Sequence, residues 1–277
     1  MKQEITSILK KYTKHDFINL TERGNTAIFA ALYCARKLQL NKKIVLYPDQ
    51  GGWISYYKYS KMLELNPVAV KTDYGVINLK DLKEKSKNAN CLIYSQPAGY
   101  YAEQPIKEIY EICNKNKCMV IMDVTGSIGT EICNGNYAGF CLGSFGKWKP
   151  VNLGYGGFLS AKEKGYFEIP KEIFNTINFD ETHLPELLKR LKNLKKRYKL
   201  FNKTNKKIKK DLKNFNILHK DKAGINVIIR FNDNREKEKI INYCGKNNLE
   251  YTICPKGIFS LIRVNCNAVS IEVKRLE

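Results

Sequence analysis

The chain has 277 residues, of which 43% are hydrophobic and 11% aromatic, and its formal net charge is +21. This composition is typical of a globular protein rather than a disordered one, and the length suffices for one large domain and a smaller one. No apolar run approaches the roughly 18 residues of a membrane-spanning helix, and the N-terminus lacks the apolar segment of a signal peptide.

The nine cysteines are dispersed along the chain, and most of them lie in apolar runs. No two have the Cys-x-x-Cys spacing, and His15, His183 and His219 are isolated from one another, so no metal site is predicted. Without a secretion signal, this pattern predicts reduced, buried thiols and a cytoplasmic location.

Short apolar segments alternate with amphipathic ones through the first 160 residues. Continuously apolar strands are typical of a mainly parallel sheet with helices on both faces, so we predict an α/β fold. The predicted helices cover 6–14, Thr26–Leu38, Ile54–Leu65, Leu79–Lys87 and Pro105–Lys115, and the predicted strands cover Phe17–Thr21, Lys43–Tyr47, Pro67–Val70, Cys91–Tyr94 and Met119–Met122.

Polar or glycine-rich segments follow several of these strands. In sheets of this kind, ligands bind beyond the carboxyl ends of the strands. We therefore expect five features to meet at one edge of the sheet: Gly24–Thr26, Gly51–Trp53, Ser95–Gly99, Asp123 and Lys149.

The loop Ser144–Gly157 contains two lysines, Lys147 and Lys149, between a serine and three glycines. Glycines let the backbone approach a ligand closely. A lysine that is partly removed from water near another cation binds its proton less tightly and can act as a nucleophile. By itself the loop fits a Schiff-base lysine and a basic surface loop equally well.

The character of the sequence changes after Ser160, and the polar stretch from Pro170 to Asp180 predicts a boundary. We predict a large domain over residues 1–178 and a small α+β domain over 179–277, entered by a long helix. Its predicted elements are that helix from Leu184 to Phe215, a second helix Arg235–Lys246, and strands Gly224–Phe231, Tyr251–Cys254, Ser260–Val264 and Val269–Val273. For the lysine-rich stretch Lys189–Lys213 we expect no aromatic side chains among the lysines that could stack on bases. This favours a solvated helix face over a nucleic-acid site.

The order of these motifs resembles the pyridoxal-phosphate enzymes of fold type I, and more narrowly the DegT/StrS-type aminotransferase family. That family shows Ser-Phe-x-x-x-Lys followed by Gly-x-Gly-Gly, and Ser144-Phe145, Lys149 and Gly154–Gly157 have these spacings. Its glycine turn before a helix, its aromatic residue after the second strand and its Asp-x-x-x-x-x-Gly segment are matched by Gly24–Ala27, Trp53 and Asp123–Gly129.

The resemblance implies a role for each matched residue toward pyridoxal 5'-phosphate. Lys149 would form the Schiff base and move protons, and Asp123 would pair with the pyridine nitrogen. Trp53 would lie against the ring. Gly24, Asn25, Thr26 and Ser144 would hold the phosphate at a helix N-terminus, and Arg263 would bind a substrate carboxylate.

Three positions depart from the family pattern. Gly126 stands three residues after the aspartate, where the family often has glutamine or histidine near the cofactor hydroxyl, and Tyr155 replaces the acid of Gly-Glu-Gly-Gly. Lys147 rivals Lys149, because other fold-type-I families place the lysine three residues after a serine, but the register of Gly154, Gly156 and Gly157 favours Lys149. The short C-terminal part makes a nucleotide-sugar substrate unexpected.

Together, the residues and the resemblance predict a homodimeric pyridoxal-phosphate-dependent aminotransferase. Its substrates would be an amino acid donor and a small keto acceptor, with no membrane and no nucleic-acid partner. One alternative is β-elimination or desulfuration, which needs a mobile cysteine, and Cys133 is the candidate. The other is a non-catalytic relative that binds nucleic acid through Lys189–Lys213.

Overall fold

The computed structural model describes residues 1–277. Its helices are α1 (Lys2–Thr13), α2 (Gly24–Leu38), α3 (Ile54–Met62), α4 (Leu79–Lys85), α5 (Ile106–Lys115), α6 (Gly165–Glu168), α7 (Lys171–Thr176), α8 (Leu184–Asp211), α9 (Asn234–Lys246) and α10 (Phe259–Ile262). Its strands are β1 (Phe17–Thr21), β2 (Ile44–Pro48), β3 (Asn66–Val70), β4 (Thr72–Asp73), β5 (Val76–Ile77), β6 (Ala89–Ser95), β7 (Met119–Asp123), β8 (Phe140–Ser144), β9 (Gly157–Ala161), β10 (Asn216–Ile217), β11 (Val227–Arg230), β12 (Tyr251–Cys254) and β13 (Ala268–Ile271).

The large sheet has seven strands in the order β1-β9-β8-β7-β6-β2-β3. Strands β8, β7, β6, β2 and β3 run parallel, whereas β9 is antiparallel to both β8 and β1. Both faces are covered, and successive residues of β6 alternate between two hydrophobic clusters: Leu92 and Tyr94 join one, Cys91 and Ile93 the other. The predicted α/β class with a mainly parallel sheet is confirmed.

A second, antiparallel sheet of four strands, β10-β11-β13-β12, lies in the C-terminal part of the chain. The long helix α8 leads into it and buries residues at three- and four-residue spacings, among them Leu187, Leu191 and Leu194. One hydrophobic cluster of 41 buried residues includes side chains of the large sheet, of α8 and of the small sheet, so the core is continuous between them. The domain boundary predicted at residue 178 falls between α7 and α8 and stays a prediction.

One predicted strand is wrong. Residues 260–264 do not form a strand: Phe259–Ile262 is a helical turn, and the backbone of Arg263 follows it outside regular structure. A short apolar run has no periodicity that distinguishes a helix from a strand, so the local sequence could not decide. Several predicted bounds also shift. α1 begins at Lys2 instead of residue 6, α3 ends at Met62 and α8 ends at Asp211. The strand predicted over 224–231 covers Val227–Arg230, and the last strand covers Ala268–Ile271.

The thiols of all nine cysteines are free, and only Cys266 is more than marginally exposed. None of the helices combines the length and the apolar character needed to cross a membrane.

The C-terminal part docks on the large sheet through close backbone contacts at Gly224. The Ile225 and Asn226 N–H groups donate to the carbonyl oxygen of Tyr100 at 2.7 and 2.9 Å. A Cβ atom added to Gly224 would lie 2.3 Å from the backbone oxygen of Tyr101. Only a glycine allows this approach, because the opposing atoms are backbone and cannot rotate away.

We predict that Gly224→Ala destabilises the protein by about 1–3 kcal/mol, the usual cost of overpacking, with a lower midpoint of urea unfolding. Gly245→Ala is the matched control, since Gly245 lies inside α9 with no neighbouring atom within 4 Å of its added Cβ. Alanine there should stabilise the helix by about 0.5–1 kcal/mol. Equal midpoints for the two variants would contradict the proposed role of the Gly224 contact.

Candidate active site

A cavity lies at the carboxyl edge of the large sheet. Strands β6, β7 and β8 end there, and α2 and α3 begin there, because parallel strands place their carboxyl ends at the same edge. All five segments predicted to meet at this edge contribute to the lining, which consists of Gly24, Asn25, Ile28, Gly52, Trp53, Ser95, Gly99, Tyr100, Asp123, Thr125, Leu142, Ser144 and Lys149.

Lys149 is half-buried and points into this cavity. Its Nζ donates to Tyr100 Oη at 2.9 Å and lies 5.0 Å from the centroid of the Trp53 ring. Burial lowers the pKa of Lys149 to about 8, and the nearby Arg263 guanidinium adds to the effect. The carboxylates of Asp123 and Glu272 act in the opposite direction and limit the shift. The amine therefore loses its proton at a lower pH than an ordinary lysine.

Lys147, the other candidate lysine, is exposed, and its Nζ lies 4.9 Å from the centroid of the Trp148 ring. The loop is held so that only Lys149 lines the cavity: the Phe145 N–H donates to the Gly156 carbonyl at 3.0 Å, and the Trp148 N–H donates to Asn152 Oδ1 at 2.7 Å. The two lysines thus have different surroundings although they are only two residues apart.

Asp123 ends β7, and both of its carboxylate oxygens accept hydrogen bonds. Oδ2 accepts from Tyr56 Oη at 2.8 Å, and Oδ1 accepts from the Thr125 N–H at 3.0 Å and from Thr125 Oγ1 at 2.5 Å. Thr125 Oγ1 in turn accepts from the Ser144 N–H at 2.9 Å. These contacts fix the orientation of the carboxylate and connect it to the start of the lysine loop.

Trp53 and Asn25 hold each other across the cavity. Asn25 Oδ1 accepts from Trp53 Nε1 at 3.1 Å and from Ser55 Oγ at 3.2 Å. Asn25 belongs to the first turn of α2, which begins without a side-chain capping hydrogen bond. The positive end of the helix dipole and its unpaired N–H groups favour an anion at this position.

Ser144 lies beside this helix terminus. A Cβ added to Gly24 would come within 2.6 Å of Ser144 Cβ, so glycine is what lets the serine approach α2. Thr26, which the sequence grouped with Gly24 and Asn25, does not line the cavity.

Arg263 does not line the cavity and is almost fully buried behind it. Its Nε and Nη2 donate to the two oxygens of Glu272 at 3.0 and 2.9 Å, and Lys274 Nζ donates to the same carboxylate at 3.0 Å. Burial alone would raise the pKa of Glu272, but these two cations hold it well below its usual value. The guanidinium of Arg263 therefore already makes its bidentate hydrogen bonds to a carboxylate of the protein itself.

Sequence reasoning missed two tyrosines of the site, Tyr56 and Tyr100. Tyr56 lies on α3 one turn after Trp53, and its burial, followed by the charge of Asp123, raises the pKa of its hydroxyl. Tyr100 follows the predicted Ser95–Gly99 segment, but its direction depends on a backbone φ of 72°, which no sequence pattern indicated.

Comparison with known families and curated proteins gives partial matches. A model of the MJ1341 family C-terminal domain matches residues 193–277. A curated relative from Staphylothermus marinus, named probable glycine dehydrogenase (decarboxylating) subunit 1, is 29% identical over 171 residues, 51% of this chain and 36% of the relative. The chain thus spans about a third of the length of that relative.

Solved structures match over almost the whole chain. The aminotransferase PseC from Helicobacter pylori is 13% identical with a TM-score of 0.78, covering 98% of this chain and 85% of that one. A variant of serine palmitoyltransferase from S. paucimobilis, solved with a bound aldimine of pyridoxal phosphate (PLP) and myriocin, is 13% identical with a TM-score of 0.71, covering 98% of this chain and 70% of that one. The chain therefore has the fold of the fold-type-I PLP enzymes.

We predict that Lys149 in the protein without cofactor reacts with acetic anhydride with an apparent pKa of about 8. Below that pH the amine is protonated and unreactive, and above it the neutral amine reacts. Competitive labelling read by mass spectrometry of the Lys149 peptide measures this value.

Asp123→Asn should lower this apparent pKa further, because it removes a negative charge that favours the protonated amine. Asp16→Asn is the control, since Asp16 is exposed and precedes β1 at the opposite edge of the sheet. A Lys149 pKa at the ordinary lysine value of 10.5 would show that the amine is solvated and would contradict the site.

Proposed function

We propose that this protein is a PLP-dependent aminotransferase that uses an amino acid donor and a small keto acceptor, with Lys149 as the reacting amine. One observation carries the proposal: Lys149 Nζ, with its lowered pKa, and the immobilised carboxylate of Asp123 line the same cavity as the Trp53 ring. These groups lie on one edge of the sheet although they come from distant parts of the chain.

The residues present fit the proposed cofactor group by group. The cavity offers an amine for an aldehyde, a carboxylate for a protonated ring nitrogen and an indole for the ring face. For the phosphate it offers the N-terminus of α2 at Gly24 and Asn25, with Ser144 beside it. Thr26 belongs to the same turn, and we keep it as a phosphate contact through its backbone only.

When bound, the cofactor supplies an electron sink for cleavage of a bond next to the substrate amino group. Lys149 would meet the cofactor's aldehyde carbon as the neutral amine, and a pKa near 8 leaves part of it neutral around pH 7 to 8. The same Nζ then takes and returns the proton at the substrate α-carbon. Asp123 holds a proton on the ring nitrogen, and its three accepted hydrogen bonds prevent it from rotating away.

Arg263 stays our candidate for the substrate carboxylate, with a condition set by the geometry. Its bidentate pair with Glu272 would have to open for a direct contact, and opening a buried pair is costly. Without opening, its positive charge still attracts an anionic substrate toward the cavity. We therefore propose that Arg263 acts on the substrate mainly through its field.

Two alternatives receive less support. Desulfuration needs a cysteine at the site, but none of the cavity-lining residues is a cysteine, and Cys133 is buried with its pKa raised by that burial to about 12. Nucleic-acid binding through the lysines of α8 lacks stacking groups, since Tyr198 and Phe201 of this helix face the core. These observations weigh against the desulfurase and nucleic-acid alternatives respectively.

We also propose a homodimer, membership of the DegT/StrS-type family and a domain boundary near residue 178. Exposed apolar side chains near the cavity support the dimer: Trp148 is 44% exposed on the lysine loop, and Leu261 is 40% exposed beside Gly52. Exposed hydrophobic side chains around a site often mark an interface. The spacing of Ser144, Lys149 and the following glycines supports the family.

The purified protein should turn yellow when PLP is added, because Lys149 binds the aldehyde covalently. Borohydride reduction should then fix the cofactor to the peptide containing Lys149. Lys149→Ala should lose both signals, and Lys147→Ala should keep both, since Lys147 lies outside the cavity. Covalent uptake that is unchanged in Lys149→Ala would contradict the proposal.

Incubation of the loaded protein with an amino acid and a keto acid then identifies the reaction. Transfer of the amino group is the expected result, and release of sulfide from cysteine would replace the aminotransferase by the desulfurase alternative.

A further inference from the structure

The ring of Tyr100 packs directly against Gly126. A Cβ atom added to Gly126 would lie 2.9 Å from Tyr100 Cδ1 and 3.0 Å from Pro97 Cδ. Contacts this short do not occur, so any side chain at residue 126 requires the tyrosine ring to move. The ring thus occupies the space into which a side chain at 126 would project.

The hydroxyl of that ring is the hydrogen-bond partner of Lys149. Nζ donates to Tyr100 Oη at 2.9 Å, and the structure contains no second hydrogen bond from Nζ. An ammonium group donates a stronger hydrogen bond than a neutral amine makes with the same phenol, so this contact favours the protonated lysine. Tyr100 therefore determines where the amine lies before any ligand binds.

The C-terminal part of the chain holds Tyr100 in this position. Arg263 Cζ and Lys274 Nζ each lie 5.2 Å from the centroid of its ring, within the range of cation–π attraction. The N–H groups of Ile225 and Asn226 donate to its carbonyl oxygen. Its φ of 72° is a left-handed conformation that a bulky residue adopts only when its surroundings impose it.

We propose that Tyr100 is the positioning residue for the Lys149 amine, and that the glycine at residue 126 leaves the space that its ring needs to reach that position. The inference rests on the proposed function, because positioning matters only if Lys149 is the reacting amine. Under this proposal the C-terminal part of the chain influences the reacting amine indirectly. Arg263 and Lys274 pack against the ring of Tyr100, and the hydroxyl of Tyr100 binds the amine of Lys149.

Tyr100→Phe tests the hydroxyl, because phenylalanine keeps the ring and its packing. Loss of the acceptor should make the protonated amine less favourable and lower the apparent pKa of Lys149 by about half to one unit, the equivalent of one hydrogen bond. Competitive labelling of the protein without cofactor measures this value. The readout does not depend on activity.

Tyr94→Phe is the matched control, since Tyr94 is a buried tyrosine of β6 whose hydroxyl has no hydrogen-bond partner. It should leave the Lys149 pKa unchanged. An unchanged value in Tyr100→Phe, or equal shifts in both variants, would overturn the proposal.

Gly126→Ala tests the ring's position while keeping the hydroxyl. The added methyl group should displace the ring and lower the Lys149 pKa in the same direction, whereas Gly245→Ala should not. In the double variant Tyr100→Phe/Gly126→Ala the two pKa shifts should not add, because each single variant removes the same contact between Tyr100 Oη and Lys149 Nζ. Additive shifts, or no shift in Gly126→Ala, would contradict the proposal.

These outcomes separate the inference from the proposed function. If wild type binds PLP through Lys149 while Tyr100→Phe leaves the lysine pKa unchanged, only the role of Tyr100 fails. If Lys149→Ala still takes up the cofactor covalently, the proposed function fails whatever the labelling shows.

Discussion

The site depends on one partly dehydrated amine, Lys149 Nζ, that is kept among other cations. Removing a charged amine from water is unfavourable, and the neighbouring Arg263 adds repulsion. The carboxylates of Asp123 and Glu272 offset part of this cost without fully cancelling it. The balance lowers the pKa of the amine to about 8, so that part of it is neutral near neutral pH. A nucleophilic lysine needs this neutral form.

Glu272 is the buried counter-ion of these cations. It is fully buried and accepts hydrogen bonds from Arg263, Lys274, Ser270 Oγ at 2.9 Å and Asn226 Nδ2 at 3.0 Å. A buried pair of this kind contributes little net stability, but removing one partner leaves an uncompensated charge. Glu272 directly follows β13, the last strand of the small sheet. A charge from the small sheet therefore acts on Lys149 together with Asp123 of the large sheet.

The fold alone does not select a reaction, because one fold hosts many chemistries. The matched structures illustrate this, since an aminotransferase and a serine palmitoyltransferase both superpose on this chain. The residues of the cavity provide an amine, a carboxylate and an aromatic ring but no thiol, which argues against the desulfurase alternative. Residue 126 is glycine, where the DegT/StrS-type pattern often has glutamine or histidine, because the ring of Tyr100 fills the space next to it.

The sequence by itself determined the α/β class and the segments that meet at the sheet edge, because apolar strands and the residues that end them are local patterns. It also favoured Lys149 over Lys147 by spacing alone. Only the tertiary structure decided that Arg263 pairs with Glu272, that residues 259–262 are helical, and that Tyr56 and Tyr100 hold Asp123 and Lys149. The two tyrosine contacts join residues 67 and 49 positions apart, and the Arg263–Glu272 pair joins residues at the ends of two different elements, so none of these pairs leaves a periodic signal in the sequence. The turn at 259–262 lies in a short apolar run whose local pattern does not distinguish a helix from a strand.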